Sequence, residues 1–312
     1  AVGYVDNANA AGDSVYGLST SGNATSRLGF RGVEDLGGGL KAGFWLEGEI
    51  FGDTGGSSFN FARRSTVSLM GGFGEVRMGR ELTPSYSKTS SYDLFGQTGI
   101  GQFMGWTGNW YGIDGDSGNA LRSSNMISYY TPNFSGFTAG LGYGFDEQTT
   151  GKAGRYIGGY AAYDNGPLSV ALSYDERNVA ANFDRNTLTL AGSYNLNVVK
   201  LNAIVQQTKD DVIGTDRKVN AYALGASAPV GAGEVKLQYA MYDQKAIDSK
   251  AHHISLGYVH NLSKRTAVYG TVSYMDNKDA SSLGLAAKNL NTAGPGAGES
   301  QTGVQVGVRH SF

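Results

Sequence analysis

Residues 304–312 read Val304-Gln305-Val306-Gly307-Val308-Arg309-His310-Ser311-Phe312, alternating between apolar or amphipathic side chains and small or polar ones. A repeat of two is typical of a β-strand, in which successive side chains point to opposite faces. The same alternation returns in residues 168–175 and 235–242. The sequence therefore predicts strands with one apolar and one polar face, a pattern found both in soluble sandwiches and in membrane barrels.

The composition excludes several classes of protein. The 312 residues include 48 glycines and 19 tyrosines, both mediocre helix formers, and no stretch approaches the ~18 apolar residues of a membrane helix. Because cysteine is absent, a disulfide scaffold, a zinc–thiolate site and a thiol nucleophile are ruled out. The formal net charge of −2 gives no bulk basic surface, so no nucleic-acid partner is expected.

Short turns and longer connections alternate along the whole chain. Seven turns rich in Gly, Asn, Asp and Pro, such as residues 164–167 and 229–233, separate eight longer or more polar segments. The longer segments lie near residues 6–23, 51–60, 81–121, 146–153, 177–185, 209–217, 244–249 and 276–299. Fifteen connections imply sixteen strands, each of about 9–12 residues, close to the length that crosses a bilayer at a tilt.

The predicted number of strands decides between the two environments. A soluble barrel of sixteen strands could not fill its interior with side chains, whereas a membrane barrel of that size encloses water. The apolar face of each strand then points to lipid, and the polar face lines the lumen. The sequence thus predicts an all-β fold, a 16-stranded antiparallel transmembrane β-barrel, as a single domain over residues 1–312.

Several motifs are specific enough to suggest a family. They are Thr25-Ser26-Arg27-Leu28-Gly29-Phe30-Arg31-Gly32-Val33-Glu34-Asp35-Leu36-Gly37, Gly43-Phe44-Trp45-Leu46-Glu47-Gly48-Glu49, Arg63-Arg64-Ser65-Thr66-Val67, Ser91-Tyr92-Asp93-Leu94-Phe95, Ile127-Ser128-Tyr129-Tyr130-Thr131-Pro132 and the terminal Phe312. Through them, over essentially its whole length, the chain resembles the general trimeric porins of the Gram-negative outer membrane. It is most similar to their β-proteobacterial branch and to the anion-selective comamonad porins within it.

The resemblance implies a homotrimer in the bacterial outer membrane, in contact with membrane lipid and lipopolysaccharide. It also implies that the barrel-assembly machinery reads Phe312 as an assembly signal. Porins of this family begin with a full first strand, whereas only residues 1–5 precede the first loop here. We therefore expect the start of strand one to be missing from the sequence.

The longest connection, at residues 81–121, is the third long loop. A segment of this length in a compact protein needs a function. It contains Phe95, Phe103, Trp106, Trp110 and Tyr111, more aromatic surface than a solvent-exposed loop would carry, so we expect it to pack against something. The resemblance implies that loop 3 folds into the lumen and narrows it. The alternative is an extracellular flap.

Strand alternation assigns the charged side chains to the two faces of the wall. Leu28 and Phe30 belong to an apolar face, so the residues between and beside them face water. The same reasoning over residues 64–69, 76–78 and 122–130 gives the arginines predicted to face the lumen: Arg27, Arg31, Arg64, Arg77 and Arg122. Arg63 has the opposite parity and is predicted to face lipid.

The resemblance places Arg27, Arg64 and Arg122 at the constriction, as an anion-binding cluster. Arginine keeps its charge and binds carboxylate or phosphate through a planar fork. Rings of arginine or lysine set anion selectivity in pores. The sequence and the resemblance together therefore predict a passive channel for small hydrophilic solutes that prefers anions, such as dicarboxylates or phosphate, and needs no cofactor.

Carboxylates leave a second interpretation open. Glu47 and Glu49 have lumen parity, and Asp93, Asp114 and Asp116 belong to loop 3, so these groups could neutralise the arginines. The channel would then be weakly selective or prefer cations. The loop carries few acids for its length, which favours a net positive potential at the constriction.

Other classes of function have weaker support. An outer-membrane protease or lipase would be a smaller barrel with a carboxylate or Ser/His constellation, and an adhesin would have a plugged or narrow lumen. Acidic loop residues could bind calcium adventitiously, although they lack the spacing of a ligand loop; they are Asp13, Asp53, Asp210, Asp211, Asp216, Asp276 and Asp279. No catalytic site and no dedicated metal site are predicted.

Overall fold

The computed structural model describes residues 1–7, 14–56, 59–107, 121–180, 182–212, 215–245, 247–285 and 294–312. Its strands are β1 (Val2–Asn7), β2 (Val15–Leu18), β3 (Arg27–Gly37), β4 (Leu40–Glu49), β5 (Arg64–Gly71), β6 (Gly74–Leu82), β7 (Arg122–Tyr130), β8 (Phe137–Gly144), β9 (Tyr156–Asn165), β10 (Leu168–Ala180), β11 (Phe183–Asn195), β12 (Lys200–Val212), β13 (Thr215–Val230), β14 (Gly233–Gln244), β15 (Ser249–Asn261), β16 (Thr266–Asp279) and β17 (Ser300–His310). A short helix, α1 (Pro84–Thr89), and a 3-10 turn at Ser90–Tyr92 follow β6. No helix within these described ranges is long and apolar enough to span a membrane.

The sheet closes on itself through the two ends of the chain. Each strand from β3 to β17 is antiparallel to the next, β17 pairs with β1, and β1 pairs with β2. These pairings make β2 and β3 run in the same direction, so the two are parts of one wall strand, interrupted at residues 19–26. The 17 described segments thus correspond to the sixteen predicted strands, and the barrel fold is confirmed.

Alternation along the strands separates an apolar outer face from a polar inner face. In β17, Val306 is 52% exposed and Gln305 is 0% exposed. In β10, Leu172 is 50% exposed and Ser173 is 3% exposed. The face that the chain itself shields is therefore the polar one, the reverse of a soluble fold. This apolar outer surface is typical of a barrel that faces lipid.

The strands extend further toward the loop end than the sequence suggested. Residues 177–185 and 209–217 were expected as loops, but β10, β11, β12 and β13 continue through most of them. Charged residues pair across strands there: Nε and Nη2 of Arg185 donate to the two carboxylate oxygens of Asp210 at 2.7 and 2.8 Å. Polar side chains at these positions therefore indicate strands that continue into the aqueous phase rather than loops. Opposite charges on neighbouring strands stabilise the pairing of those strands.

The described part of the connection between β6 and β7 lies against the inner face of the wall. Helix α1 contacts β8 to β11, and the 3-10 turn contacts β11 and β12. Further along, Ile100, Phe103 and Met104 form one apolar cluster with inner-face residues that include Ile204 and Met275. The wall residues of this cluster lie on β1 and on β9–β16, away from β3–β7. Residues 108–120 of this connection lie outside the described residues.

Candidate functional site: an arginine-lined cavity

A cavity of about 670 Å³ lies between the wall at β3–β7 and the segment that follows β6. On the wall side it is lined by Arg27, Arg63 and Arg122, together with Glu49. On the other side it is lined by neutral hydrogen-bonding residues: Ser87, Ser90, Ser91, Gln97, Thr98 and Gln102. The cavity therefore places guanidinium groups opposite hydroxyl and amide groups.

One carboxylate, Glu47 of β4, pairs with two of these arginines. Nε of Arg63 donates to Glu47 Oε1 at 2.9 Å, and Nε of Arg27 lies 3.8 Å from Glu47 Oε2. The prediction that Arg63 faces lipid is therefore wrong. Arg63 precedes the first residue of β5, so the alternation that holds within the strand does not fix the direction of its side chain. The Arg27 side chain is 55% exposed, which leaves its charge accessible to water in the cavity.

Arg122 forms no ion pair within the part of the chain that the structure describes. Its Nε donates to the backbone carbonyl of Arg63 at 2.9 Å. A bulge in β7 interrupts the alternation used to place it: Asn125 has φ +51°, and the register against β6 shifts there. As a result Ser123 is buried and Ser124 is exposed, the reverse of what unbroken alternation from a lumen-facing Arg122 implies. Arg122 nevertheless lines the cavity, and no described carboxylate forms an ion pair with it.

Arg64 belongs to a different charge cluster. Its Nη2 lies 3.7 Å from Glu81 Oε2, its Nε donates to Thr66 at 3.0 Å, and its guanidinium stands 4.3 Å from the centre of the Trp45 ring. Glu81 is 4% exposed and also accepts a hydrogen bond from Nη1 of Arg77 at 2.9 Å. The structure thus does not place Arg64 in the lining that Arg27 and Arg122 share.

The accessory charges continue this second cluster along the inner face. Arg77 forms a bidentate pair with Glu75, with N···O distances of 2.7 and 2.8 Å, and stacks 4.3 Å from the Tyr130 ring centre. Arg31 lies 5.5 Å from the centre of the Trp45 ring. Cations, carboxylates and aromatic rings therefore alternate along β3–β7, and the arginines in this row are held by partners on the wall.

Asp93 anchors the loop segment instead of facing the arginines. It is 4% exposed and accepts hydrogen bonds from the backbone N–H and Nε2 of Gln97 at 2.7 and 2.9 Å, from Nε2 of Gln238 at 3.0 Å and from the N–H of Phe103 at 3.2 Å. Burial raises the pKa of this carboxyl above its ordinary value, and the donors act in the opposite direction. Asp114 and Asp116, the other loop acids, lie outside the described residues.

Wall residues that the sequence reasoning missed tie the same segment to the strands opposite the arginines. Nδ2 of Asn202 donates to the carbonyl of Tyr92, and Nζ of Lys236 donates to the carbonyl of Leu94, both at 2.9 Å. These donors satisfy loop carbonyls that have no strand partner. The alternation of the strands predicts that Asn202 and Lys236 face the lumen. It does not predict their hydrogen-bond partners, because the path of the loop is set by tertiary packing.

Two peripheral predictions concern the chain end and the acidic loops. Phe312 follows β17 and is 91% exposed, so its ring is accessible from outside the barrel, and its role in assembly stays a prediction. Among the described residues, no group of three or more His, Cys, Asp or Glu could hold a metal ion. Asp13 lies outside the described residues, and adventitious calcium stays a prediction.

A closed antiparallel barrel with an apolar outer face, a polar inner face and a charged internal cavity defines a membrane channel. A family model described as Gram-negative porin matches residues 1–280. The chain belongs to this family of outer-membrane channel proteins, which are not enzymes.

Individual relatives agree with the family. The chain is 65% identical to outer membrane porin protein 32 of Delftia acidovorans over 321 aligned positions, covering 100% of this chain and 91% of the relative. A solved structure of an anion-selective porin from Comamonas acidovorans is 64% identical, with a TM-score of 0.95 and coverage of 100% of this chain and 96% of that one. OmpT of Vibrio cholerae in its trimer form shares the fold at 15% identity, with a TM-score of 0.71 and coverage of 99% and 96%.

Proposed function

We propose that this channel passes small hydrophilic solutes down their gradients and prefers anions. The observation that carries the proposal is the cavity lining, in which Arg27, Arg63 and Arg122 outnumber the carboxylate of Glu49 and face neutral hydroxyl and amide groups. Passive diffusion through such a site needs no cofactor. The name of the Comamonas structure, an anion-selective porin, supports the same preference.

The constriction in this proposal consists of the wall arginines and the segment after β6. That segment packs against β8–β16, so open space remains on the β3–β7 side, beside the arginines. Narrowing brings a permeating ion close to fixed charges in a partly desolvated site, where each charge acts more strongly than in bulk water. Small carboxylates and phosphates suit the arginine forks.

The three arginines of the predicted constriction contribute unequally in this proposal. Arg122 contributes most, because no described carboxylate pairs with it. Arg27 is weakened by Glu47, and Arg64 by Glu81. Arg63, which the sequence assigned to the wrong face, joins them as a fourth contributor.

A second candidate is a weakly selective channel, and the ion pairs favour it. Glu47 pairs with Arg27 and Arg63, and Glu81 pairs with Arg64 and Arg77. If these pairs cancel the field of the arginines, anions and cations pass at similar rates. The two candidates therefore differ only in the net potential of the cavity.

Reversal potentials across a planar bilayer with a KCl gradient distinguish them. For the anion-preferring channel, the reversal potential lies between zero and the equilibrium potential of chloride. Arg122→Glu moves it toward the equilibrium potential of potassium. The matched control is Arg265→Ala, in an exposed turn between β15 and β16, which leaves it unchanged. A reversal potential near zero for the unaltered protein would favour the weakly selective channel. A reversal potential shifted toward the equilibrium potential of potassium would contradict both candidates.

The assembly we propose is a homotrimer, as in the trimer form of the OmpT fold relative. The apolar outer face of each barrel then meets either a neighbouring copy or outer-membrane lipid, including lipopolysaccharide. Insertion depends on the barrel-assembly machinery, with Phe312 as the recognised residue. Chemical cross-linking of the purified protein tests the trimer through a ladder that ends at three copies.

A further inference from the structure

A second segment besides loop 3 turns inward at the loop end of the barrel. After β16 ends at Asp279, the chain turns at Ala280, and the side chains of residues 281–285 alternate between buried and more accessible. Ser281, Leu283 and Leu285 are 3%, 7% and 3% exposed. A loop that left the barrel for solvent would expose these leucines. The pattern instead indicates a strand-like segment packed against the inner wall.

Side-chain amides on the wall take the place of strand partners for this segment. Asn277, which is 0% exposed, accepts from the N–H of Leu283 at 3.0 Å and donates through Nδ2 to the carbonyl of Leu283 at 3.0 Å. It also accepts from the hydroxyl of Ser281 at 2.6 Å. Gln301, on the inner face of β17, accepts from the N–H of Leu285. Both backbone groups of Leu283 are thus satisfied by a single amide, which fixes the segment in position.

The two leucines reach the apolar part of loop 3. Leu283 and Leu285 belong to the same buried cluster as Ile100. At Gly303 of β17, an added Cβ would lie 2.8 Å from a methyl carbon of Leu285 and 3.2 Å from one of Ile100. The absence of a side chain at Gly303 therefore leaves the space in which Leu285 of the second segment and Ile100 of loop 3 meet.

We propose that residues 280–285 are a positioning segment of the channel: they narrow its mouth from the β16–β17 side and hold loop 3 at Ile100, so that they help to set the size limit for solutes. The proposal rests on the channel function and does not depend on whether the channel prefers anions. It assigns Leu283, Leu285 and Asn277 a role in solute size that is separate from the choice between anions and cations.

The test is the ratio of liposome swelling rates for a trisaccharide and a pentose, which reports size selection independently of the amount of protein inserted. The double variant Leu283→Ser/Leu285→Ser loses the apolar contact, and the ratio rises about twofold or more, because a wider passage favours the larger solute most. The conservative variant Leu285→Met keeps the original ratio. The control Ile247→Ser changes an exposed residue in the neighbouring loop and also keeps it.

A milder variant covers the case in which the double variant fails to fold. Gly303→Ala replaces one hydrogen on a strand by a methyl group. The added carbon lies so close to the side chains of Leu285 and Ile100 that both shift, so the swelling ratio changes in a barrel that is otherwise intact. An unchanged ratio in folded Gly303→Ala and in the double variant would overturn the proposal. Absence of swelling by the unaltered protein with any solute would instead overturn the channel function.

Discussion

Replacing Glu47 with Gln tests whether the carboxylates of the wall limit the selectivity of the cavity. Glu47 lies 2.9 Å from Nε of Arg63 and 3.8 Å from Nε of Arg27, so its charge offsets part of the field of both. Glutamine has nearly the same shape and can still accept a hydrogen bond from Arg63. The substitution therefore removes charge with little change in packing, and we expect selectivity for anions to increase.

The magnitude follows from the distances. Unit charges 4 Å apart interact by ~1 kcal/mol in bulk water and by ~4 kcal/mol at an effective dielectric constant of ~20. An anion seated on the far side of Arg27 and Arg63 is about twice as far from Glu47, which reduces the repulsion to about 0.5–2 kcal/mol. Screening at ~0.1 M salt, where the Debye length is ~10 Å, roughly halves it again. An effect near 0.5 kcal/mol favours the anion by a factor of about 2.3 and disfavours the cation by the same factor, so the permeability ratio rises about fivefold.

The assay is the reversal potential in a KCl gradient, and Glu75→Gln is the matched control. Glu75 carries the same charge on the same side of the barrel, but its partner Arg77 does not line the cavity. Glu47→Gln should move the reversal potential closer to the equilibrium potential of chloride than Glu75→Gln does. The difference between the two variants should shrink near 1 M salt, where the Debye length is ~3 Å. Equal shifts in the two variants, or a shift toward potassium, would refute the reasoning that local pairing sets the selectivity.

Three further outcomes are expected. Asp93→Ala removes the acceptor of the backbone N–H groups of Gln97 and Phe103, at about 1–3 kcal/mol each, so loop 3 loosens and open-channel current becomes noisier; a quiet trace would argue against the anchor. Ser87→Cys, at an exposed position in the cavity, should react with small thiol reagents and lose current, yet react slowly with bulky reagents added from outside. Fast labelling by bulky reagents without loss of current would indicate an external flap. Deletion of Phe312 should lower the amount of folded protein in the outer membrane, and normal yield of the deletion variant would contradict its role as an assembly signal.

The alternation of the sequence was sufficient to predict the barrel, because the pleat of a strand converts a repeat of two into two faces without further information. It was insufficient for residues at strand ends and bulges. Arg63 lies one residue before β5, and its direction depends on its ion pair with Glu47. The bulge at Asn125 shifts the register ahead of Met126, and its sequence signal is weak: one asparagine, a residue type that tolerates positive φ, inside an otherwise regular alternation. Charged residues collect at these same ends, so the cavity lining was the least predictable part of the wall.

The sequence also held a signal that the alternation argument did not use. Ile204, Val219 and Met275 are apolar at positions that face the inside of the barrel, where a water-filled lumen favours polar residues. Apolar side chains stay there only if something inside covers them, since leaving them in water costs about 25 cal/mol per Å². Their strands, β12, β13 and β16, therefore mark where the interior is filled, and Ile100 and Phe103 of loop 3 are among the residues that fill it. The charged strands β3–β7 carry the arginines on the opposite part of the wall. The apolar inner-face positions thus indicate which part of the interior loop 3 fills, and the pore lies beside the remaining wall. The arginines of that remaining wall determine the charge of the pore.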